Sequence, residues 1–208
     1  MTIEDVVAPR TVVSTATSFA GKVWAVDTDL IDLPDGVVAR DYIRHPGAVA
    51  VMAYDGIGSV YLVNQYRHPV RRELWEPPAG LLDVADEDPL VGAKRELAEE
   101  ADLQAQKWDV LADFYTSPGG SSEAIRIYLA RDTSETPQAG RFAREAEELE
   151  MTGEWVPLAD VLDAISAGRA GCPTLVVGAY ALDAAIRSGW ETLRSADSPW
   201  PGREGIHN

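Results

Sequence analysis

The chain has 208 residues, a formal net charge of −16 at pH 7, 46% hydrophobic residues and one cysteine. This length and apolar content suit one globular domain with an appended region. The acidity argues against nucleic acid and anionic membranes as partners, because both would repel most of the surface. The first residues lack a basic leader before an apolar segment, and no stretch approaches the roughly 18 apolar residues of a membrane helix. We therefore expect a cytoplasmic protein, with Cys172 buried as a packing residue rather than in a disulfide or a thiolate cluster.

The N-terminal part of the chain alternates apolar and polar residues, as half-buried strands do. Residues 22–30 and 36–45 each predict a strand, and we assign residues 1–46 to a small antiparallel β region. The valine-rich segment 10–20 predicts an edge strand, which would expose a pairing surface unless a second copy of the chain covered it.

Residues 47–195 are predicted to form the main domain. Asp55-Gly56 is a turn signal, so the strands on either side of it predict a hairpin. Asp88 as N-cap and Pro89 at the first helical position predict a helix that runs to about Ala101. The remaining predicted elements are strands at 48–55, 58–67, 109–117 and 122–131, helices at 159–169 and 173–190, and a loose tail at 196–208. The pattern indicates an α+β fold with a mixed sheet packed between helices.

The predicted helix concentrates acidic residues on one side. Glu96, Glu99 and Glu100 are spaced i, i+3 and i+4, so their carboxylates lie together and repel one another. Arg95 can pair with Glu99 four residues on, which leaves Glu96 and Glu100 less compensated. A hard divalent cation such as Mg²⁺ takes oxygen ligands and would relieve this repulsion. An exposed, solvated charged face is the plainer alternative for the same residues.

The residues around this helix resemble the Nudix box, which is G, five residues, E, seven residues, R-E-U-x-E-E-x-G-U, where U is a bulky aliphatic residue. The matching positions are Gly80, Glu87, Arg95, Glu96, Leu97, Glu99, Glu100 and Leu103. Six residues rather than five separate Gly80 from Glu87, and Asp102 replaces the late glycine. A loop tolerates one extra residue, and aspartate can adopt the left-handed conformation that ends a helix. The resemblance implies a Nudix α/β/α sandwich with a mixed sheet, preceded by the small antiparallel region.

Further segments resemble the ADP-ribose pyrophosphatase branch of that family. They are "HPGAVAVMAYD", "VNQYRHPVRRELWEPPAG" and Pro118 in "YTSPGGSSE", fifteen residues beyond the box. The resemblance implies hydrolysis of ADP-ribose to AMP and ribose 5-phosphate with Mg²⁺ or Mn²⁺. The alternatives are a Nudix hydrolase of another nucleoside diphosphate derivative, such as other sugar nucleotides, FAD or oxidised nucleotides, and a sensor that binds ADP-ribose without cleaving it. A purely structural acidic protein whose helix binds calcium would leave the box unexplained.

The resemblance also implies roles for individual residues. Glu96 and Glu100 would bind the metal together with the backbone carbonyl of Ala79. Glu99 would contact a second ion or serve as the partner of Arg95. In the acidic segment "RFAREAEELEM", Glu145 would be the catalytic base, and Glu147 would be an added metal ligand; a solvated acidic loop is the alternative.

Substrate-binding residues are predicted on the segments around the box. Arg67, at a strand end, suits a phosphate, although a surface ion pair is the alternative. Pro118 marks the substrate loop, and Glu123 could accept hydrogen bonds from ribose hydroxyls. Gly80 lets the backbone approach a phosphate closely.

Other residues have less specific expectations. Tyr115 or Trp24 could stack on adenine or belong to the core. His45 and His68 have no zinc-like spacing and are expected to be structural. In this branch a partner subunit completes the site, so the resemblance implies a homodimer in which residues near Arg40 or Arg44 reach the neighbour's substrate.

Overall fold

The computed structural model describes residues 2–137 and 151–203 of the chain. The chain divides into two compact units, residues 1–46 with 117–123, and residues 47–116 with 124–208. The described part contains no helix long and apolar enough to cross a membrane.

The smaller unit is built on an antiparallel three-stranded sheet, as the sequence predicts. Its strands, in sheet order, are β1 (Val12–Ala20), β2 (Ala25–Leu33) and β3 (Gly36–Arg44). Every residue of β1 is exposed, including Val12, Val13 and Phe19. β1 is therefore an edge strand that presents apolar side chains to solvent.

Residues 117–123 belong to this unit although they lie far from it in sequence. The Ile43 amide donates to the Gly120 carbonyl at 2.9 Å, and the Ser122 amide donates to the Ile43 carbonyl at 2.9 Å. The Ser122 hydroxyl accepts from the His45 amide at 2.9 Å. These bonds join the segment to the end of β3.

The larger unit is organised around an eight-stranded mixed sheet. β4 runs parallel to β9, whereas the pairs β4–β5 and β8–β9 are antiparallel, which confirms both predicted pairs. The order is β10-β5-β4-β9-β8-β11, with β6 on β5 and β7 on β4. The strands are β4 (Ala48–Tyr54), β5 (Ser59–Arg67), β6 (Arg72–Glu76), β7 (Ala79–Leu81), β8 (Leu103–Tyr115), β9 (Ala124–Glu135), β10 (Thr152–Pro157) and β11 (Arg194–Ser195).

Helices cover both faces of the sheet. All seven residues of β4 are buried, and alternate residues enter two separate cores because successive side chains of a strand point to opposite faces. One core packs against α2 (Leu158–Ser166) and α3 (Pro173–Arg187), and the other packs against α1 (Pro89–Ala101). This is the α/β/α sandwich that the sequence predicts.

The predicted caps set the ends of α1. The Asp88 carboxylate accepts from the Leu90 amide at 2.9 Å, and Pro89 begins the helix. Asp102 ends it in the left-handed region, at φ 53° and ψ 31°. The extra residue of the box lies in the loop before the helix, where Asp86 also has a positive φ of 60°. The two departures from the motif, the extra loop residue and Asp102 in place of glycine, therefore both lie outside the helix.

Residues 196–203, expected to belong to a loose tail, are packed instead. Arg126, buried in β9, donates to the Ser198 carbonyl at 2.7 Å and to the Pro199 carbonyl at 2.9 Å. The guanidinium also lies 4.9 Å from the ring centroid of buried Trp200. These contacts offset the conformational entropy that a polar terminal segment loses on ordering.

Candidate functional site

Arg95 of α1 bonds carboxylates from the helix and from the loop that precedes it. Arg95 Nε and Nη2 donate to the two Glu87 oxygens, each at 3.1 Å, in a bidentate pair. Arg95 Nη1 donates to Glu96 Oε1 at 2.6 Å and to Glu99 Oε2 at 3.1 Å. The bond to Glu87, then the charge and hydrogen bond of Glu96, raise the pKa of Arg95.

The i, i+4 pair of Arg95 and Glu99 forms, as the spacing predicts. The expectation that Glu96 would be less compensated is wrong, since Arg95 also bonds it. Adjacent residues of a helix do not face each other, but the long arginine side chain reaches across that separation. Sequence reasoning also gave no role to Glu87, whose only signal was its place in the motif.

Glu100 is anchored to the strand that precedes the helix. It is 8% exposed, and its Oε2 accepts from the Ala79 amide at 2.9 Å. The Pro78 carbonyl accepts from the Val51 amide at 2.8 Å, which ties the preceding residue to β4. The structure thus brings the predicted ligands Ala79 and Glu100 together. The bond between them uses the Ala79 amide, whereas the atom predicted to bind a metal is the Ala79 carbonyl oxygen.

Gly80 leaves room for Glu96. A Cβ at this position would overlap the carboxylate and Cγ of Glu96. The absence of a side chain at Gly80 therefore lets β7 and α1 approach closely enough for Glu96 to lie over the strand. The sequence suggested a different reason for glycine at this position, namely close approach of the backbone to a phosphate.

The donors at this site suit a hard divalent cation. Arg95 bonds the carboxylates of Glu87, Glu96 and Glu99, and Glu100 lies on the same side of α1 at the Ala79 amide, so negative charge is in excess and every donor is oxygen. Among residues 2–137 and 151–203, no three acidic, histidine or cysteine side chains are grouped as a preformed metal site. The predicted ligands, Glu96, Glu100 and the carbonyl of Ala79, include only two such side chains, so they would not be grouped in this way.

Arg67 forms the ion pair that was the alternative to a phosphate contact. Its Nη2 donates to Glu76 Oε2 at 2.6 Å, and its Nε donates to Oε1 at 3.0 Å. The hydrogen bond to Glu76 raises the pKa of Arg67 most, and the charge of Glu100 adds to the rise. Sequence reasoning missed Glu76.

The other predicted site residues lie in the smaller unit or outside the described residues. Pro118 and Glu123 belong to the smaller unit, where Glu123 Oε1 lies 3.5 Å from His45 Nε2. His45 is largely buried, and desolvation lowers its pKa despite the opposing charge of Glu123. Glu145 and Glu147 lie outside the described residues.

The two aromatic candidates are partly exposed, so both the stacking and the core interpretation stay open. The Tyr115 hydroxyl donates to the Gly202 carbonyl at 3.0 Å. In the smaller unit, the Trp24 ring packs against Phe19 with 5.8 Å between centroids. His68 is exposed, and its Nδ1 lies 3.3 Å from the Tyr66 hydroxyl.

Comparisons with known proteins agree with this geometry. The family model described as NUDIX domain matches residues 44–172. The chain is 40% identical over 192 residues to an ADP-ribose pyrophosphatase of Mycobacterium tuberculosis, covering 92% of this chain and 91% of the relative. It is 40% identical over 117 residues to an ADP-ribose pyrophosphatase of Bacillus subtilis, covering 56% of this chain and 63% of that relative.

A solved structure described as an ADP compounds hydrolase has a similar fold. It superposes with a TM-score of 0.71 at 18% sequence identity. The alignment covers 89% of this chain and 98% of that one. At this identity the likeness supports the sandwich fold with its N-terminal sheet.

We predict that Gly80→Ala weakens divalent cation binding without unfolding the protein. The new methyl group would displace the end of the flexible Glu96 side chain. Displaced ligands or their supports weaken metal binding by about 10- to 100-fold. Titration with Mn²⁺ followed by electron paramagnetic resonance measures the dissociation constant.

Gly171→Ala is the matched control, because a methyl group there would meet nothing within 4 Å. It should bind Mn²⁺ as the parent does. Equal affinities for Gly80→Ala and the parent would show that Glu96 does not bind the ion from this position.

Proposed function

The chain belongs to the Nudix family, and from this premise we propose that it hydrolyses the diphosphate of ADP-ribose to AMP and ribose 5-phosphate. The observation that carries the proposal is the anchoring of Glu96 and Glu100 of α1 against Ala79-Gly80 of β7. Two ADP-ribose pyrophosphatases at 40% identity support the choice of substrate.

Mg²⁺ or Mn²⁺ is the proposed cofactor, held by Glu96, Glu100 and the carbonyl of Ala79, with Glu147 as an added ligand. Such an ion neutralises phosphate oxygens and lowers the pKa of a bound water. Arg95 holds Glu96 and Glu99 in place while Glu87 fixes its other edge. The protein therefore supplies oriented ligands, and Arg95 offsets part of their repulsion.

In the proposed reaction a water oxygen bonds to one phosphorus, and the bond from that phosphorus to the bridging oxygen breaks. The bridging oxygen leaves with the other phosphate. Glu145 takes the proton from the attacking water. Arg67 pairs with the negative charge of the diphosphate, and positioning of this kind supplies much of the rate in phosphoryl transfer. Glu123 is the proposed contact to the ribose hydroxyls, and Pro118 is a further proposed substrate-binding residue.

A homodimer is the proposed assembly. Apolar residues along β1 are exposed at a sheet edge, and a second copy could cover them. In the same unit Arg40 and Arg44 are both exposed, but Arg44 is paired with buried Asp27 at 2.6 Å while Arg40 donates to the carbonyl of neighbouring Ala39, so Arg40 is the better candidate to reach a partner's substrate. The cytoplasmic location stays a prediction.

We expect light scattering on the purified chain to give twice the mass of 22.5 kDa. Val13→Asp would place charge on the exposed edge strand and should shift the chain toward monomer. Val91→Asp, on an exposed face of α1, is the matched control and should stay dimeric. A monomeric parent would rule out the proposed assembly.

We predict that the parent protein with Mg²⁺ converts ADP-ribose to AMP and ribose 5-phosphate, and that Glu100→Gln does not. The change removes a proposed ligand charge while keeping the side chain's shape. Chromatographic analysis of the products measures turnover, and thermal unfolding tests the integrity of the variant. Glu154→Gln, on exposed β10, is the control and should react like the parent.

Other outcomes of this experiment select the alternatives. Turnover of another nucleotide derivative, and not of ADP-ribose, would move the chain to a different Nudix specificity. Tight ADP-ribose binding without any turnover would indicate a sensor. Equal turnover by the parent and Glu100→Gln would remove Glu100 from the proposed site.

We predict that Glu145→Gln lowers kcat by about 10²- to 10⁴-fold, the range that a positioned base contributes. Glu150→Gln, in the same acidic segment, is the matched control and should keep the parent rate. Steady-state kinetics with ADP-ribose measures both variants. A loss under about tenfold in Glu145→Gln would assign the base elsewhere.

A further inference from the structure

The Arg67–Glu76 pair joins the ends of two neighbouring strands. Glu76 lies opposite Val63 on β5, so Arg67, four residues beyond Val63, is on the same face and reaches back along the strand. The Glu76 side chain is 5% exposed and that of Arg67 is 42% exposed. The carboxylate is therefore buried beneath a guanidinium that still faces solvent.

The pair uses only one edge of the guanidinium. Nε and Nη2 make all the hydrogen bonds of Arg67 to Glu76, at 2.6 to 3.2 Å. In the described part of the chain, Nη1 of Arg67 has no hydrogen-bond partner. A guanidinium has five N–H donors in a fixed plane, so the outer edge can bind an anion while the inner edge is held.

A short, stiff segment links this pair to the carboxylates of α1. Glu76 is followed by Pro77, Pro78 and Ala79, and proline fixes the backbone φ angle. The Val51 amide binds the Pro78 carbonyl, and the Ala79 amide binds Glu100. Residues 77–79, whose backbone is constrained, therefore connect Glu76, which holds the Arg67 guanidinium, to the amide that binds Glu100.

We propose that Glu76 is a positioning residue, which holds the outer edge of Arg67 toward a diphosphate at the carboxylate cluster; this rests on the proposed function. Without Glu76, Arg67 would be a flexible surface cation that loses entropy on binding a phosphate. With Glu76, one edge of the guanidinium is already fixed, so Arg67 loses this entropy when the protein folds and not when it binds the phosphate. Glu76 itself touches no substrate and acts through Arg67.

The test compares Glu76→Gln, Arg67→Gln and the double variant. We expect Glu76→Gln to raise the KM for ADP-ribose about tenfold while kcat stays within about threefold, because a charged hydrogen bond that aids binding is lost. Calorimetry in EDTA should show a similar weakening in the dissociation constant. In the Arg67→Gln background, Glu76→Gln should add less than about twofold, since it acts through that residue.

Asp113→Asn is the matched control. Asp113 forms the same kind of bidentate pair with buried Arg126, at 2.7 and 2.9 Å, and holds no proposed substrate group. It should lower thermal stability and leave KM unchanged. If Glu76→Gln likewise lowers stability and leaves both KM and the dissociation constant within about twofold of the parent, the pair is structural and the proposal is wrong.

Arg67→Lys provides a second test if Glu76→Gln does not fold. It keeps the positive charge but lacks the planar fork that Glu76 grips. We expect it to bind ADP-ribose about tenfold more weakly in EDTA, and parent-like binding would overturn the proposal. Absence of turnover with intact binding in the parent would contradict only the proposed hydrolysis. A parent that does not bind ADP-ribose would overturn both.

Discussion

Glu96, Glu99 and Glu100 share one side of α1, where repulsion between their charges opposes the arrangement. Arg95 bonds two of them and is itself fixed by Glu87, just before the helix begins. The third, Glu100, binds the Ala79 amide instead. Arg95 and the Ala79 amide thus both help to hold the acidic face, and both depend on where the helix lies against the sheet.

The sheet sets that position. Ala93 and Leu97 of α1 are fully buried in the core on one face of β4, which fixes the rotation of the helix. With the apolar side turned inward, the acidic side faces β7, where Gly80 has no side chain to obstruct it. Burial of Ala93 and Leu97 therefore helps to hold the like charges close together.

Local patterns in the sequence predicted much of this. The caps of α1, the left-handed Asp102, the Asp55-Gly56 hairpin and the β8–β9 pair all follow from rules that act within a few residues. The helical spacing also predicted that Glu96, Glu99 and Glu100 share one side of α1. Short elements were missed: β6, β7 and β11 have five, three and two residues, and they exist because a neighbouring strand offers hydrogen bonds.

Long-range contacts could not be predicted from the sequence alone. Glu76 became a partner of Arg67 only through the β5–β6 pairing, and Arg126 fixes a segment more than seventy residues later in the chain. Both are buried ionic groups whose partners come from elsewhere in the fold. A single sequence marks such residues only as charges within apolar strands, as Arg126 is in "AIRIYL".

The division into two units also depends on contacts that sequence order conceals. A boundary after residue 46 is visible as the end of the N-terminal strands, but residues 117–123 return to that unit through Ile43, His45 and Ser122. Pro118 and Glu123, which the sequence predicts as substrate-binding residues, consequently belong to the smaller unit. Because Glu123 directly follows Ser122, its backbone position depends on the hydrogen bonds that hold this segment to the end of β3.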